Sequence, residues 1–431
     1  MQMNARQYPN VRETVYSAVL PSGLTVLAVP RAGFSHYYAV LMTRYGSNDN
    51  RFIRAGQTVP IEVPDGIAHF LEHQLFAKPW GSADERFAAW GASCNAFTTW
   101  TRTGYLFSTT CNFADCLRHL IDFVYEPYFT VEGTAKEKGI IEQEISMYDD
   151  DPSWKVCLNL LQGLFHQHPV RRDIAGTMES VEQVSKELLE TCYQTFYHPS
   201  NMVLVVGGDF NPEEIHRLCA EQLASKNFLP QGEILRLYPE EPISIHQADT
   251  TLQASITTPL FALGFKDRET GLTGPALFRR QVLTELVLHA VIGKSSPLYQ
   301  ELYASGLIDG DFEASYAGLP DHGYTIMQGE SKHPEGLKVR ICAALRQLLQ
   351  SGLDEESFLL SRKALYGDFL QSLNGLEDMA NELADGHFDG VEFLLYPDVL
   401  QQLTLAEANQ RLREHLNPLW AAFSQVLPLE E

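Results

Sequence analysis

At 431 residues and a formal charge of −23, from 32 Lys and Arg against 55 Asp and Glu, the chain exceeds a single core of roughly 250 to 300 residues, and its negative field opposes nucleic acid and anionic membrane alike. A composition of 45% hydrophobic, 11% aromatic and 20% charged residues is that of a globular protein and excludes wholesale disorder. Seven scattered cysteines, Cys94, Cys111, Cys116, Cys157, Cys192, Cys219 and Cys342, make neither a disulfide framework nor paired CxxC zinc motifs, so they read as buried thiols of a reducing compartment.

The opening MQMNARQYPNVRETVYSAVL has no basic segment followed by an apolar run, and no apolar run approaches the ~20 residues that span a bilayer. The expected location is the cytoplasm. YSAVLPSGLTVLAVPR predicts a hairpin turned at Pro21-Ser22-Gly23, and YYAVLMTRYGS a further strand. A helix begins near Asp65, its expected N-cap, and another is opened by Ser82 and Glu85 at capping-box spacing. Strands return in ASCNAFTTW and GYLFSTT, separated by Thr101-Arg102-Thr103. Residues 112 to 197 are mostly helical, and NMVLVVGGDF is a buried strand. From about Phe228 to Asp249 the text turns rich in Pro and Glu without helical period, as a linker does. The expected domains are therefore 1–228 and 251–431, joined by 229–250. Beyond the linker the order is similar: an extended stretch (Leu252 to Phe265), a helix (Pro275 to Val291), strands (Ile308 to Tyr316, Tyr324 to Glu330) and long helices. This echo suggests a duplicated α+β unit.

Chemistry concentrates in GIAHFLEHQLF, residues 66 to 76. Helical positions i and i+4 share one face, so His69 and His73 can offer imidazole nitrogens to one ion, with Glu72 projecting beside them. Ile67, Phe70, Leu71 and Leu75 supply apolar anchoring. Chance alone yields HxxEH in roughly one chain per hundred of this length, so a third ligand has to decide. Catalytic zinc takes three protein ligands and leaves one position open. TAKEKGIIEQEISMYDDDP offers Glu137 and Glu144, two helical turns apart on one face, with Glu142 nearly opposite. Glu144 then ligates and Glu137 orients a histidine. The competing reading is an acidic surface helix.

HxxEH at 69 to 73 followed by Glu137 and Glu144 resembles the pitrilysin-like (M16) zinc peptidases, the inverzincins, which include mitochondrial processing peptidase and insulin-degrading enzyme. LPSGLTV, NAFTTWTRTGY, FYHPSNMVLVVGGDF and GKSSPLYQELYASGLID extend the likeness over nearly the whole chain. It is strongest to single-half bacterial members that occur in pairs, including those associated with elongation factor P modification. The resemblance implies an α+β fold of two similar domains, each an antiparallel-rich sheet packed against helices, forming half of a clamshell. It makes His69, His73 and Glu144 ligands of one Zn2+ per chain, Glu72 the general base and Glu137 a supporting carboxylate. Ser93 to Thr98 is the candidate edge strand for pairing a peptide substrate, and the resemblance gives that role to Asn95, Ala96 and Phe97.

Other candidates carry less. His166 and His168 lack a completing ligand set and read as structural, as do the lone His119 and His289; Ser295-Ser296 lacks a GxSxG context. The family's substrate-contacting Arg and Tyr of the second half are absent, since Tyr303 and Asp309 stand at the corresponding places, with Tyr316 and Tyr324 as possible substitutes. One half requires another, so the expected partner is a homologous subunit without HxxEH in a heterodimer; a homodimer is the runner-up. A zinc endopeptidase acting on oligopeptides or leader peptides competes with a noncatalytic M16-like scaffold and with a metal-stabilised binding module. The negative charge favours short, basic, unfolded peptides.

Overall fold

The run Met202–Gly208 lacks polar alternation and is buried at every position inside a seven-stranded sheet, as a strand covered on both faces requires. The computed structural model describes residues 3–226 and 228–429. The strands of this first sheet are β1 (Asn4–Tyr8), β2 (Glu13–Val19), β3 (Thr25–Pro30), β4 (Tyr37–Thr43), β5 (Ser93–Thr98), β6 (Thr103–Thr109) and β7 (Met202–Gly208). They lie in the order β1-β2-β3-β7-β4-β6-β5. Only β3 and β7 run parallel; every other neighbouring pair is antiparallel.

A second sheet comprises β8 (Asp249–Ala254), β9 (Leu260–Lys266), β10 (Glu313–Gly318), β11 (Gly323–Glu330) and β12 (Ala421–Pro428), in the order β8-β12-β9-β11-β10. Its first pair is parallel and the rest antiparallel. Strand for strand, this is the topology of β3-β7-β4-β6-β5. The chain is thus α+β with two similar domains, each an antiparallel-rich sheet with helices, and the duplication shows in strand order where residue identity hides it.

The helices that matter here are α1 (Ile67–Phe76), α2 (Asp84–Ala89), α3 (Phe113–Tyr125), α4 (Val131–Asp149), α5 (Pro152–Leu164), α6 (Lys186–Phe196), α7 (Gly274–Ile292) and α8 (Leu376–Asp389). Two expected caps are absent. Helix α1 is preceded by Gly66 in the left-handed region, φ 85°, with no side-chain cap. A Cβ at Gly66 would lie 2.2 Å from the carbonyl oxygen of Ala175, so only glycine fits there. Asp65 instead accepts from Asn50 Nδ2 at 2.5 Å and Arg172 Nη1 at 2.7 Å. At α2 the N-cap is Ala83 and Ser82 bonds Asp84, so no Ser82–Glu85 capping box forms.

The two compact units are each discontinuous. One comprises Met1–Ser146, Arg172–Tyr238 and Ser372–Phe388; the other comprises Met147–Arg171, Pro239–Gln371 and Asp389–Glu431. Helix α5 therefore belongs with the second sheet, where a Cβ at Gly264 of β9 would come within 2.8 Å of Leu160. Helix α8 returns to the first: Tyr38 of β4 bonds Asn381 at 3.4 Å, and a Cβ at Gly207 of β7 would sit 3.0 Å from Leu376. Burial of an apolar helix face selects its sheet without regard to chain order, so these exchanges are invisible to a linear reading of domains.

The stretch 229–250 is bonded into its neighbours. Leu235–Arg236 pairs with Arg51–Ile53, and Arg236 and Tyr238 meet Asp49 at 3.0 and 2.8 Å. After the division at Pro239, Glu241 accepts backbone N–H groups from His166, Gln167 and His168, each at 2.8 Å, and an ion pair from Lys266 at 2.5 Å.

Candidate metal centre

Helix α1 is anchored by Ile67, Phe70, Leu71 and Leu75, each no more than 2% exposed. That anchoring draws polar residues inside: His69 and Glu72 are both only 8% exposed. A buried ionisable group has to be paired. One turn apart, the rings of His69 and His73 lie 4.6 Å between centroids. Facing them, α4 presents Glu137 and Glu144, two turns apart on one side. His73 Nδ1 stands 3.1 Å from Glu137 Oε1. A carboxylate accepts, so Nδ1 carries the proton and the His73 lone pair sits on Nε2. That Nε2 is 3.4 Å from Glu144 Oε2, and His69 Nε2 is 3.6 Å from Glu144 Oε1.

These last separations exceed the N–H···O range of 2.7–3.2 Å. They match the edge of a tetrahedron around an ion with bonds of ~2.1 Å, which is about 3.4 Å. All three ligand atoms fall within 4.8 Å of one another. Two Nε2 atoms and a carboxylate oxygen at these separations are the donor set that zinc takes once both rings are neutral, so the residues fit zinc. Burial, with help from the neighbouring His73 charge, pushes His69 down to about 4; it is neutral at pH 7, as a ligand must be. For His73 burial acts downward, but the Glu137 hydrogen bond and the carboxylates of Glu72 and Glu144 outweigh it and raise the pKa. Burial pushes the Glu72 carboxyl up to about 7, against an opposing hydrogen bond from Thr98.

A second cluster, His168, Asp321 and His322, has a different character. His168 Nε2 and His322 Nδ1 each lie 3.0 Å from Asp321 oxygens, a hydrogen-bond length. The Val170 N–H donates to His168 Nδ1 at 3.1 Å, which puts the ring proton on Nε2 and leaves no lone pair there for a cation. The His168 backbone is part of the Glu241 nest described above.

The strand carrying Asn95, Ala96 and Phe97 is β5, the edge of its sheet, bonded among the described residues to β6 alone. The Ala96 N–H donates to Asn95 Oδ1 at 2.9 Å, so it is not spent on β6. Phe97 lies over Gly104, where a Cβ would be 2.7 Å from the ring. The strand ends at Thr98, whose hydroxyl donates to Glu72 Oε2 at 2.5 Å. Sequence reasoning missed Thr98; its place at the end of the candidate edge strand was the available signal, but nothing local pairs it with a residue 26 positions earlier.

In the second unit Tyr303 is 54% exposed, and the Asp309 carboxylate accepts the Asp311 N–H at 3.0 Å. Tyr316 donates to Asp267 at 2.6 Å, and Asp267 is paired with Arg411 at 2.5 Å, both 3% exposed. Tyr324 is 8% exposed. The hydroxyl of Tyr316 is therefore committed within its own core.

Comparison with known proteins gives a consistent result. Residues 52–178 match the family model described as insulinase (peptidase family M16), and residues 183–365 the model described as peptidase M16 inactive domain. The uncharacterized zinc protease YmfH of Bacillus subtilis (strain 168) is 39% identical over 98% of both chains. An uncharacterized zinc protease of Mycobacterium leprae is 25% identical over 95% of this chain and 91% of its own. A crystal structure from Alicyclobacillus acidocaldarius, described as M16-like peptidase, superposes with a TM-score of 0.93 at 39% identity, covering 100% of this chain and 99% of the other. Pitrilysin shares the fold at a TM-score of 0.76 and 18% identity, with this chain covering 47% of it. Among the described residues no helix is long and apolar enough to cross a membrane.

Proposed function

The chain belongs to peptidase family M16, and we propose that it is a zinc-dependent endopeptidase of oligopeptides or leader peptides, acting as the catalytic half of a heterodimer. His69, His73 and Glu144 hold one ion per chain, Glu72 is the general base, and Glu137 orients His73. The observation that carries this reading is the convergence of two imidazole nitrogens and a carboxylate, all within 4.8 Å, beside a buried carboxylate left free to move a proton.

His69, His73 and Glu144 would hold the zinc ion, which when bound would lower the pKa of a water and polarise a carbonyl oxygen. The peptide lies along the β5 edge, held by backbone hydrogen bonds that are indifferent to most side chains; Asn95 releases the Ala96 N–H to it. Glu72 takes a proton from the attacking water as its oxygen bonds the scissile carbonyl carbon, and returns it to the amine nitrogen as the C–N bond breaks. Oε2 is held by Thr98, and Oε1, which has no hydrogen bond among the described residues, is the atom that carries the proton. The formal charge of −23 favours basic peptides.

Half-length coverage of pitrilysin, and Tyr303 and Asp309 standing where the family carries Arg and Tyr, support a partner that supplies the missing pair: a homologous subunit lacking HxxEH. Seven free cysteines support a cytoplasmic setting. The test is peptide hydrolysis and zinc content of wild type and Glu72→Gln, with and without chelator and co-purified partner. Zinc bound with Glu72-dependent cleavage is expected. Full activity of the chain alone would remove the heterodimer and leave a monomer or homodimer. The match of residues 183–365 to a domain described as inactive keeps one rival in view, a noncatalytic scaffold, which would bind no zinc; a metal-stabilised binding module would hold zinc without a Glu72-dependent rate.

A further inference from the structure

Resting on the proposed peptidase reading, we infer that Thr98 is a positioning residue that couples the edge strand to the aim of the general base. Its hydroxyl lies 2.5 Å from Glu72 Oε2 and 3.4 Å from the hydroxyl of Thr103. Proton counting settles the direction. Thr103, fully buried, donates its own proton to the Tyr45 carbonyl at 2.9 Å, so it has none to offer Thr98. Thr98 has a single proton, and between a neutral oxygen at 3.4 Å and a carboxylate at 2.5 Å it goes to the carboxylate, the stronger acceptor. Thr98 and Thr103 face each other in register across β5 and β6. Thr103 is thereby a fixed backstop that keeps the Thr98 side chain from swinging away.

The consequence is mechanical. Thr98 is the last residue of the strand along which a peptide would pair, and its side chain grips the oxygen of Glu72 that does not move the proton. Docking a peptide on β5 immobilises the Thr98 backbone, and through one side chain that immobilises the base. A base free to rotate about its last torsions spends most of its time misaimed, and misplacement by about 1 Å costs on the order of 100-fold in rate. The structure thus gives one residue two linked duties: its main chain belongs to the strand that binds, and its hydroxyl belongs to the chemistry.

The experiment uses the full chain, with its co-purified partner if one is present, zinc-loaded, on an internally quenched basic peptide. Cleavage by wild type, abolished in Glu72→Gln, establishes the reading on which the inference rests; without it both fall together. Given that cleavage, Thr98→Val keeps shape and strand preference but removes the proton donor. The expected result is a kcat lower by about 10- to 100-fold, with KM within about twofold because the strand's backbone groups are untouched, and with zinc stoichiometry unchanged. Thr98→Ser restores the donor and is expected to recover kcat to within about threefold. Thr98→Val with near wild-type kcat overturns the inference alone. So does a loss that Thr98→Ser fails to recover, or one that falls on KM or zinc content, because packing would then be the cause.

Discussion

Truncating Glu137 tests the proposed metal centre without touching a proposed ligand. Glu137 Oε1 accepts from His73 Nδ1 at 3.1 Å, and the two side chains are only 16% and 24% exposed, so the bond is shielded from water. A hydrogen bond with one charged partner contributes about 1.5–3 kcal/mol, and each 1.4 kcal/mol is tenfold in affinity. Removing it frees the His73 ring to rotate and to present the wrong tautomer toward Glu144. Glu137→Ala is therefore expected to weaken zinc binding by about 10- to 100-fold, and Glu137→Gln, which keeps an acceptor and loses the charge, by nearer tenfold. The assay is competition against a fluorescent zinc chelator at fixed pH. Glu72→Gln serves as the control, since it alters the base and leaves all three ligands and their support in place. A Glu137→Ala dissociation constant within about twofold of wild type would show that Glu137 does not orient His73, and the tautomer argument for the site would be lost with it.

Other outcomes follow from the same contacts. Proline at Ala96 deletes the N–H that β5 keeps for a guest strand while costing no bond to β6; Ala96→Pro should raise KM about tenfold with zinc content unchanged, and an unaltered KM would place the peptide elsewhere. Glu241 is depressed to about 2 from 4.5: burial acts upward but is overcome by Lys266 and the three backbone amides. A depressed carboxyl contributes stability above its unfolded pKa that is lost as pH falls through the folded one, so the melting temperature should drop between pH 4.5 and about 2, and Glu241→Gln should flatten that slope in calorimetry; an identical slope would rule the nest out as its source. Arg411→Leu removes the nearest cation from the buried Asp267 carboxylate, leaving it the Tyr316 hydroxyl at 2.6 Å and Arg280 at 3.6 Å, and should cost about 1.5–3 kcal/mol in denaturant unfolding; a loss under about 1 kcal/mol would mean that Asp267 neutralises or rehydrates instead.

Much of the site was legible because its determinants are short-ranged. A separation of four positions for the histidines and of seven for the glutamates is a statement about a helix of 3.6 residues per turn, and it holds whatever the helices pack against. The caps were misjudged for a related reason: Asp65 is a good N-cap by type, but a carbonyl of Ala175, over a hundred residues away, leaves room only for Gly66. Thr98 was missed because its relation to Glu72 exists only across the gap between a strand and a helix.

Chain order alone determined which residues share a face: His69 with His73, Glu137 with Glu144, and the alternation of β5. Tertiary structure alone decided that the two carboxylate-bearing turns of α4 oppose the imidazoles of α1, and that β5 ends up at a sheet edge because β6 takes the place beside β4. It also decided that residues 147–171 and 372–388 each join a different unit from their neighbours in sequence. The division has one physical cause. Side-chain direction within an element follows from backbone geometry over a few residues, whereas the choice of which face meets which is made by burial summed over the whole chain.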